Sequence, residues 1–344
     1  MHKQFYNLKQ DPFCLSPDPE FVYLTQQHRE ALSCLLYSVL SRPGLTLMIG
    51  EAGTGKTTLL YTLWRQMEKR RYCVTLCVNP MLEAGEFYDF LLAKMVGKDF
   101  SSSKSQQLLA LERTLLKNHA ENRPSILMID EAHRLPLELL EEIRLLLNLE
   151  TPREKLLEII LAGQPELSEL MGRQDLRQLR QRVSYVCRLK PLSSNELREY
   201  IRHRLWRAGR NDFSLFPEDT LRAIYQCTGG IPRLVNTLCD NCLHIGFALR
   251  SPLMTLSIVE EAAADLDLSQ CREQINLPVV APSGVNPFGP RSSQNHKSSN
   301  GFPGADRGAS AGAVGNSPAE VPLENYASVK KNTGLFSRVT NLWR

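Results

Sequence analysis

With 344 residues, 42% of them hydrophobic and 23% charged, the chain is long enough for two domains with cores of their own. Its composition excludes collagen-like, wholly disordered and disulfide-scaffold classes. Lys and Arg number 41 against 37 Asp and Glu, yet the excess lies at the end: the residues after Gln270 hold 8 basic and 4 acidic side chains, leaving 33 of each sign before them. Such a balanced body lacks the broad positive surface of a nucleic-acid-binding domain, local patches aside.

The 9 cysteines form no even framework and suit free thiols in a reducing compartment. Cys239 and Cys242 read as two small buried residues on a helix, since no second pair or histidine stands at zinc-finger spacing. The start, MHKQFYNLKQDPF, has no apolar signal region, and no apolar run nears the ~20 residues of a membrane span. The expectation is a cytoplasmic protein.

In chain order, residues 1 to 44 are a lead-in with a helix from Gln26 to Leu40, where Ala31, Leu32, Leu35, Leu36 and Val39 recur at helical spacing. Pro43-Gly44 ends it. Short apolar runs then alternate with longer periodic segments over residues 45 to 191, the pattern of strands and crossover helices. The strands are expected at Leu45 to Ile49, Cys73 to Val78, Ile126 to Ile129, Leu157 to Leu161 and Val183 to Leu189. All but the last are nearly continuous apolar runs, as parallel strands covered on both faces should be.

Residues 192 to 270 read as helices only: Ser193 to Ala208, Pro217 to Cys227, Ile231 to Leu249 and Ser257 to Asp267, a second, helical domain. Residues 271 to 344 read as a disordered tail, because 25 of the 45 residues from Pro278 to Pro322 are Gly, Pro, Ser or Asn. The last stretch, Gly334 to Arg344, spaces Leu335, Phe336, Val339, Leu342 and Trp343 as one face of a short helix. Such a face suits a partner protein or peripheral contact with a membrane surface, and equally a frayed terminus.

Gly50 to Thr57, GEAGTGKT, fits GxxxxGK[ST] at every defined position. It follows one strand and opens a helix from about Thr58, so the backbone N–H groups of Gly50, Glu51, Ala52, Gly53, Thr54, Gly55, Lys56, Thr57 and Thr58 can converge on phosphates. In such a loop Lys56 reaches the β/γ oxygens of ATP and the Thr57 hydroxyl ligates Mg2+. In SILMIDEAH a buried strand ends in two acids. Asp130 is expected on the magnesium side and Glu131 as the group that orients the attacking water.

The order of P-loop, DE strand, a polar residue after a fourth strand, an arginine-rich segment and GxxR resembles AAA+ ATPases. More narrowly, FYNLKQDPFCLSPDPEFVYLTQQHREAL, GEAGTGKTTLL, LMIDEAH, LAGQPEL, LRQLRQRV and TGGIPRLVN are similar to ExeA/GspA-type ATPases of the general secretion pathway, over about residues 1 to 268. The resemblance implies an α/β P-loop NTPase with a five-stranded parallel sheet in the order 5-1-4-3-2, followed by a helical lid. It puts Gln164 in the sensor-one position, one of Arg177, Arg180 and Arg182 (Arg182 preferred) as an arginine finger into a neighbouring subunit of a homo-oligomer, and Arg233 in the sensor-two position. It also puts the neighbourhood of Phe13, Tyr23 and His28 near adenine.

The function this implies is ATP hydrolysis with Mg2+ that drives assembly or remodelling of a partner complex in secretion or envelope-polysaccharide machinery. Members of that group carry a membrane span and a peptidoglycan-binding domain after the ATPase, and neither is found in this sequence. Two alternatives therefore stand: a DNA-binding regulator like transposition ATPases of the MuB/TniB/TnsC kind, or a nucleotide-gated scaffold with negligible hydrolysis. The DNA reading needs a basic stripe, with Lys69, Arg70, Arg71 and the run Arg198, Arg202, Arg204, Arg207 and Arg210, interleaved with Tyr200 and Trp206, as candidates.

Overall fold

The computed structural model describes residues 2–14, 21, 23–78, 80–97 and 103–268. The expected tail and its terminal helix lie outside the described residues. Five strands form one parallel sheet: β1 (Leu45–Gly50), β2 (Cys73–Cys77), β3 (Ser125–Ile129), β4 (Leu157–Gly163) and β5 (Val183–Leu189). Their order is β2-β3-β4-β1-β5, the expected order read from the other edge. Leu45 registers with Ile159 on β4, and Leu127 of β3 with Ile159 from the other side, so β1, β3 and β4 are the buried centre. Those strands are buried along their whole length because both of their faces are covered, and apart from Thr46, Ser125 and Glu158 they are apolar or glycine. β5 is an edge strand and alternates exposed with covered positions.

Helices α2 (Gln26–Ser41) and α3 (Lys56–Lys69) pack on one face of the sheet. On the other lie α4 (Ala84–Val96), α5 (Lys104–Ala120), α6 (Leu137–Leu146), α7 (Glu166–Gly172) and α8 (Arg177–Arg180), in one core with Leu45, Leu47, Ile49, Leu127 and Leu161. Thr25 caps α2 through its side chain, and Arg42 ends that helix in the left-handed region.

The helical part is α9 (Ser194–Arg207), α10 (Glu218–Thr228), α11 (Pro232–Ala248) and α12 (Leu256–Asp265). Ser193 and Glu196 form a capping box at the start of α9. Gly229 ends α10 with φ +56°, and Pro232 occupies the first turn of α11. Between them Gly230 has φ +76°, and a Cβ there would lie 2.0 Å from the Leu192 carbonyl oxygen, so only glycine fits. Cys239 and Cys242 are fully buried on α11, as their spacing suggested.

The N-terminal segment belongs to this second core. Tyr6, Leu8, Phe13 and Phe21 are buried among Leu197, Ile201, Val235 and Leu243, and the short α1 (His2–Phe5) packs on α11. The chain therefore starts on the helical part and crosses to the sheet just before α2. It crosses back after β5. Gln27 ties the two crossings together, accepting from Lys190 N at 3.2 Å and donating to the Pro191 carbonyl at 3.4 Å.

Candidate active site

The loop from Gly50 to Gly55 leaves the C-terminal end of β1 and enters α3, so its geometry follows from one buried strand and one helix N-terminus. Gly53 and Gly55 have φ +80° and +99°, conformations that side chains resist. Lys56 Nζ donates to the carbonyls of Gly50 at 2.8 Å and Glu51 at 3.0 Å, which folds the lysine over its own loop. Burial holds its pKa below the ordinary lysine value, and the nearby carboxylates of Glu131, Asp130, Glu51 and Glu166 oppose that shift.

β3 delivers the acids. The Thr57 hydroxyl donates to Asp130 Oδ2 at 2.5 Å, so two hard oxygen ligands from different elements meet beside the loop. This donor set fits magnesium, which takes oxygen ligands and is held by few protein groups beside the phosphates. Asp130 Oδ1 accepts from Glu131 N at 2.9 Å, and Glu131 adopts φ +54°, an unusual conformation for a glutamate.

Gln164 follows β4, at the next strand end. It joins the acids through His133, a residue sequence reasoning passed over although it stands in DEAH. Gln164 N donates to His133 Nδ1 at 3.4 Å, the Gln164 side-chain amide lies 3.1 Å from Nε2, and Glu131 Oε2 is 3.6 Å from Nε2. Because the backbone N–H donates to Nδ1, the ring proton sits on Nε2, facing the Glu131 carboxylate; the Gln164 amide, whose nitrogen stands 3.1 Å away, accepts that proton once its oxygen and nitrogen are exchanged.

Arg233 comes to the loop from α11. Its backbone N–H donates to Gly53 O at 3.3 Å, and a Cβ on Gly53 would meet Arg233 Cβ at 2.7 Å. A cavity of about 390 Å³ runs from Gly53 to Thr58 past Glu131 to Arg233 and Asn236, and is closed by Tyr23, His28, Tyr200 and Arg204. Tyr23 and His28 thus line it, whereas Phe13 turns into the helical core against Phe216, ring centres 6.0 Å apart.

Arg177, Arg180 and Arg182 are exposed and do not line the cavity of their own chain. Arg180 donates to the Gly172 carbonyl at 3.0 Å, and Arg182 to Asn148 Oδ1 at 3.0 Å.

The arginine run on α9 is largely engaged. Arg204, 6% exposed, donates to the carbonyls of Pro12 and Cys14 and to the Tyr200 hydroxyl, which in turn donates to Asn236 at 2.8 Å. Arg210 donates to the Tyr6 carbonyl at 2.7 Å and to Asp212. Arg198 pairs with Glu218, and Arg202 pairs with Glu199 while covering the Phe213 ring.

The parallel sheet, the glycine-rich loop between β1 and α3 and the acids at the end of β3 give the chain a nucleotide-binding fold of P-loop geometry. In keeping with this, residues 39–171 match the family described as "AAA domain". Over 253 residues the chain is 37% identical to "General secretion pathway protein A" of Aeromonas hydrophila, covering 72% of this chain and 45% of that protein, so the chain spans less than half of the curated relative. Among solved structures it is similar to Drosophila ORC bound to DNA, with TM-score 0.59, 18% identity and 77% and 66% of the two chains covered. It is also similar to Cdc6p from Pyrobaculum aerophilum, with TM-score 0.58, 16% identity and 75% and 71% covered. Among the described residues no helix is long and apolar enough to cross a membrane.

Proposed function

We propose that the chain binds ATP with Mg2+ and hydrolyses it to drive assembly or remodelling of a protein complex of the secretion or cell-envelope kind, acting as a homo-oligomer in the cytoplasm. The observation that carries hydrolysis is the meeting of Lys56, Thr57, Asp130 and Glu131 at one strand-end, since a scaffold that only binds nucleotide has no use for Glu131. The partner class rests on the identity to a general secretion pathway protein.

In this reading Lys56 exchanges its two carbonyl partners for phosphate oxygens, which moves a buried cation onto the charge that builds in the transition state. Thr57 and Asp130 would hold the metal, which would supply neutralisation of β- and γ-phosphate charge. Glu131 accepts hydrogen bonding from the attacking water and orients it, and Gln164 with His133 sets where that carboxylate stands. Arg233 reports the lid's position to the loop through Gly53. Arg182 serves the neighbouring subunit, supported by its exposure away from its own cavity.

The DNA reading keeps less support, because Arg198, Arg202, Arg204 and Arg210 are engaged within the fold. The test is ATP turnover by the purified full chain with magnesium, with and without double-stranded DNA at low and moderate salt, with particle mass followed in parallel. Magnesium-dependent turnover and assembly indifferent to DNA support the proposal. Salt-sensitive stimulation and assembly on DNA would replace it with the transposition-type reading.

A further inference from the structure

His28 stands in the first turn of α2, far from the P-loop in sequence, and is 6% exposed. Its two ring nitrogens have different partners. Nδ1 lies 2.7 Å from the Thr25 hydroxyl, and Nε2 lies 3.0 Å from the carbonyl oxygen of Thr54, inside the P-loop. A carbonyl can only accept, so Nε2 carries a proton, and Thr25 donates to a bare Nδ1. Burial, the first cause, holds the ring's pKa below the usual histidine value, which agrees with this neutral form.

The peptide between Thr54 and Gly55 is planar and trans, so its C=O and N–H point in opposite directions. Holding the Thr54 carbonyl toward α2 therefore turns the Gly55 N–H the other way, away from α2. Thr54 has little freedom to answer otherwise. Its side chain is buried and donates to Glu51 O at 2.8 Å, and Gly55, at φ +99°, has its Cβ position 3.3 Å from His28 Nε2.

We propose that His28 is a positioning residue for phosphate binding: it fixes the Thr54–Gly55 peptide so that the Gly55 N–H faces the phosphates. The proposal rests on the nucleotide reading of the loop. It also gives the lid a route to the loop. Phe21 and Tyr23, just before α2, pack in the helical core, and Thr25, two residues further on, orients the His28 ring.

The experiment uses the full chain and measures equilibrium ATP affinity, steady-state KM and kcat, and melting temperature without nucleotide. The variants are His28→Leu, His28→Gln and Thr25→Val. Wild-type protein binding ATP establishes the underlying reading, and its failure to bind would sink that reading, separately from this one. His28→Leu is expected to weaken ATP binding and raise KM about tenfold with kcat changed less. Glutamine, whose side-chain N–H reaches as far as Nε2, is expected to restore affinity to within about threefold. Thr25→Val is expected to weaken binding about threefold, and it keeps the inference testable should His28→Leu not fold. Overturning results would be ATP affinity unchanged in His28→Leu, or loss of affinity that glutamine does not restore and that follows the drop in melting temperature across the variants.

Discussion

Arg204 Nε donates to the Pro12 carbonyl at 2.5 Å, joining the middle of α9 to a segment 192 positions earlier. Nη2 of the same guanidinium takes the Cys14 carbonyl at 3.1 Å, and Nη1 the Tyr200 hydroxyl at 2.7 Å. One buried cation thus satisfies three oxygens beside the cavity that the glycine-rich loop lines. Arg204→Met is expected to leave those oxygens without donors and to destabilise the protein by roughly 2–4 kcal/mol. Chemical unfolding would measure it, and ATP affinity should fall with it.

Glu131→Gln keeps the size of the side chain beside His133 but removes the carboxylate charge. Turnover is expected to drop on the order of 10²-fold or more with ATP binding retained. His133→Ala is expected to lower kcat about tenfold while changing equilibrium ATP affinity little, because His133 touches Glu131 and Gln164 but does not line the nucleotide cavity. Single-turnover rates beside binding isotherms separate the two effects.

Gly53→Ala introduces a methyl group 2.7 Å from Arg233 Cβ at a position with φ +80°. The lid must then move off the loop or the loop must distort. ATP affinity is expected to fall at least tenfold. Gly230→Ala, which meets the Leu192 carbonyl oxygen at 2.0 Å, should instead lower stability, by about 2 kcal/mol or more. Melting temperatures of the two variants without nucleotide should differ accordingly.

Glu158 on β4 is buried, accepting from Gly44 N at 2.7 Å and Thr46 Oγ1 at 3.4 Å, and burial pushes its pKa up to about 8. The small cavity beside it is also lined by Arg42, Tyr72, His119 and Lys155. An unfolded glutamate titrates near ~4.3, so between there and pH 8 the folded state binds the extra proton. This contribution to stability is full below the unfolded value and is lost as pH rises through the folded one. Relative to Glu158→Gln, the wild type should lose on the order of a few kcal/mol between pH 5 and pH 8. Urea midpoints across that range would check it; parallel curves would refute it.

The glycine-rich loop, the DE strand end, the buried strands and the helices after β5 were legible in the sequence because each is local. A strand, a glycine loop and a helix start lie side by side in GEAGTGKT, and buried parallel strands announce themselves as apolar runs. Strand order came from the family resemblance, since apolar runs alone leave it open, and the sheet agrees with it.

Three features were decided only by tertiary structure. His133 joins Glu131 to Gln164 because two strand ends lie side by side, and His28 reaches Thr54 across 26 positions. Arg198 and Arg204 of α9 and Arg210 just after it, which as a sequence read as a candidate basic stripe, fasten the N-terminal segment and Glu218 to the helical part. A backbone carbonyl has no signature in a sequence, so nothing in the order of residues tells whether an arginine will face water or meet a distant turn. That choice is made when the chain closes and every buried polar group must find a partner.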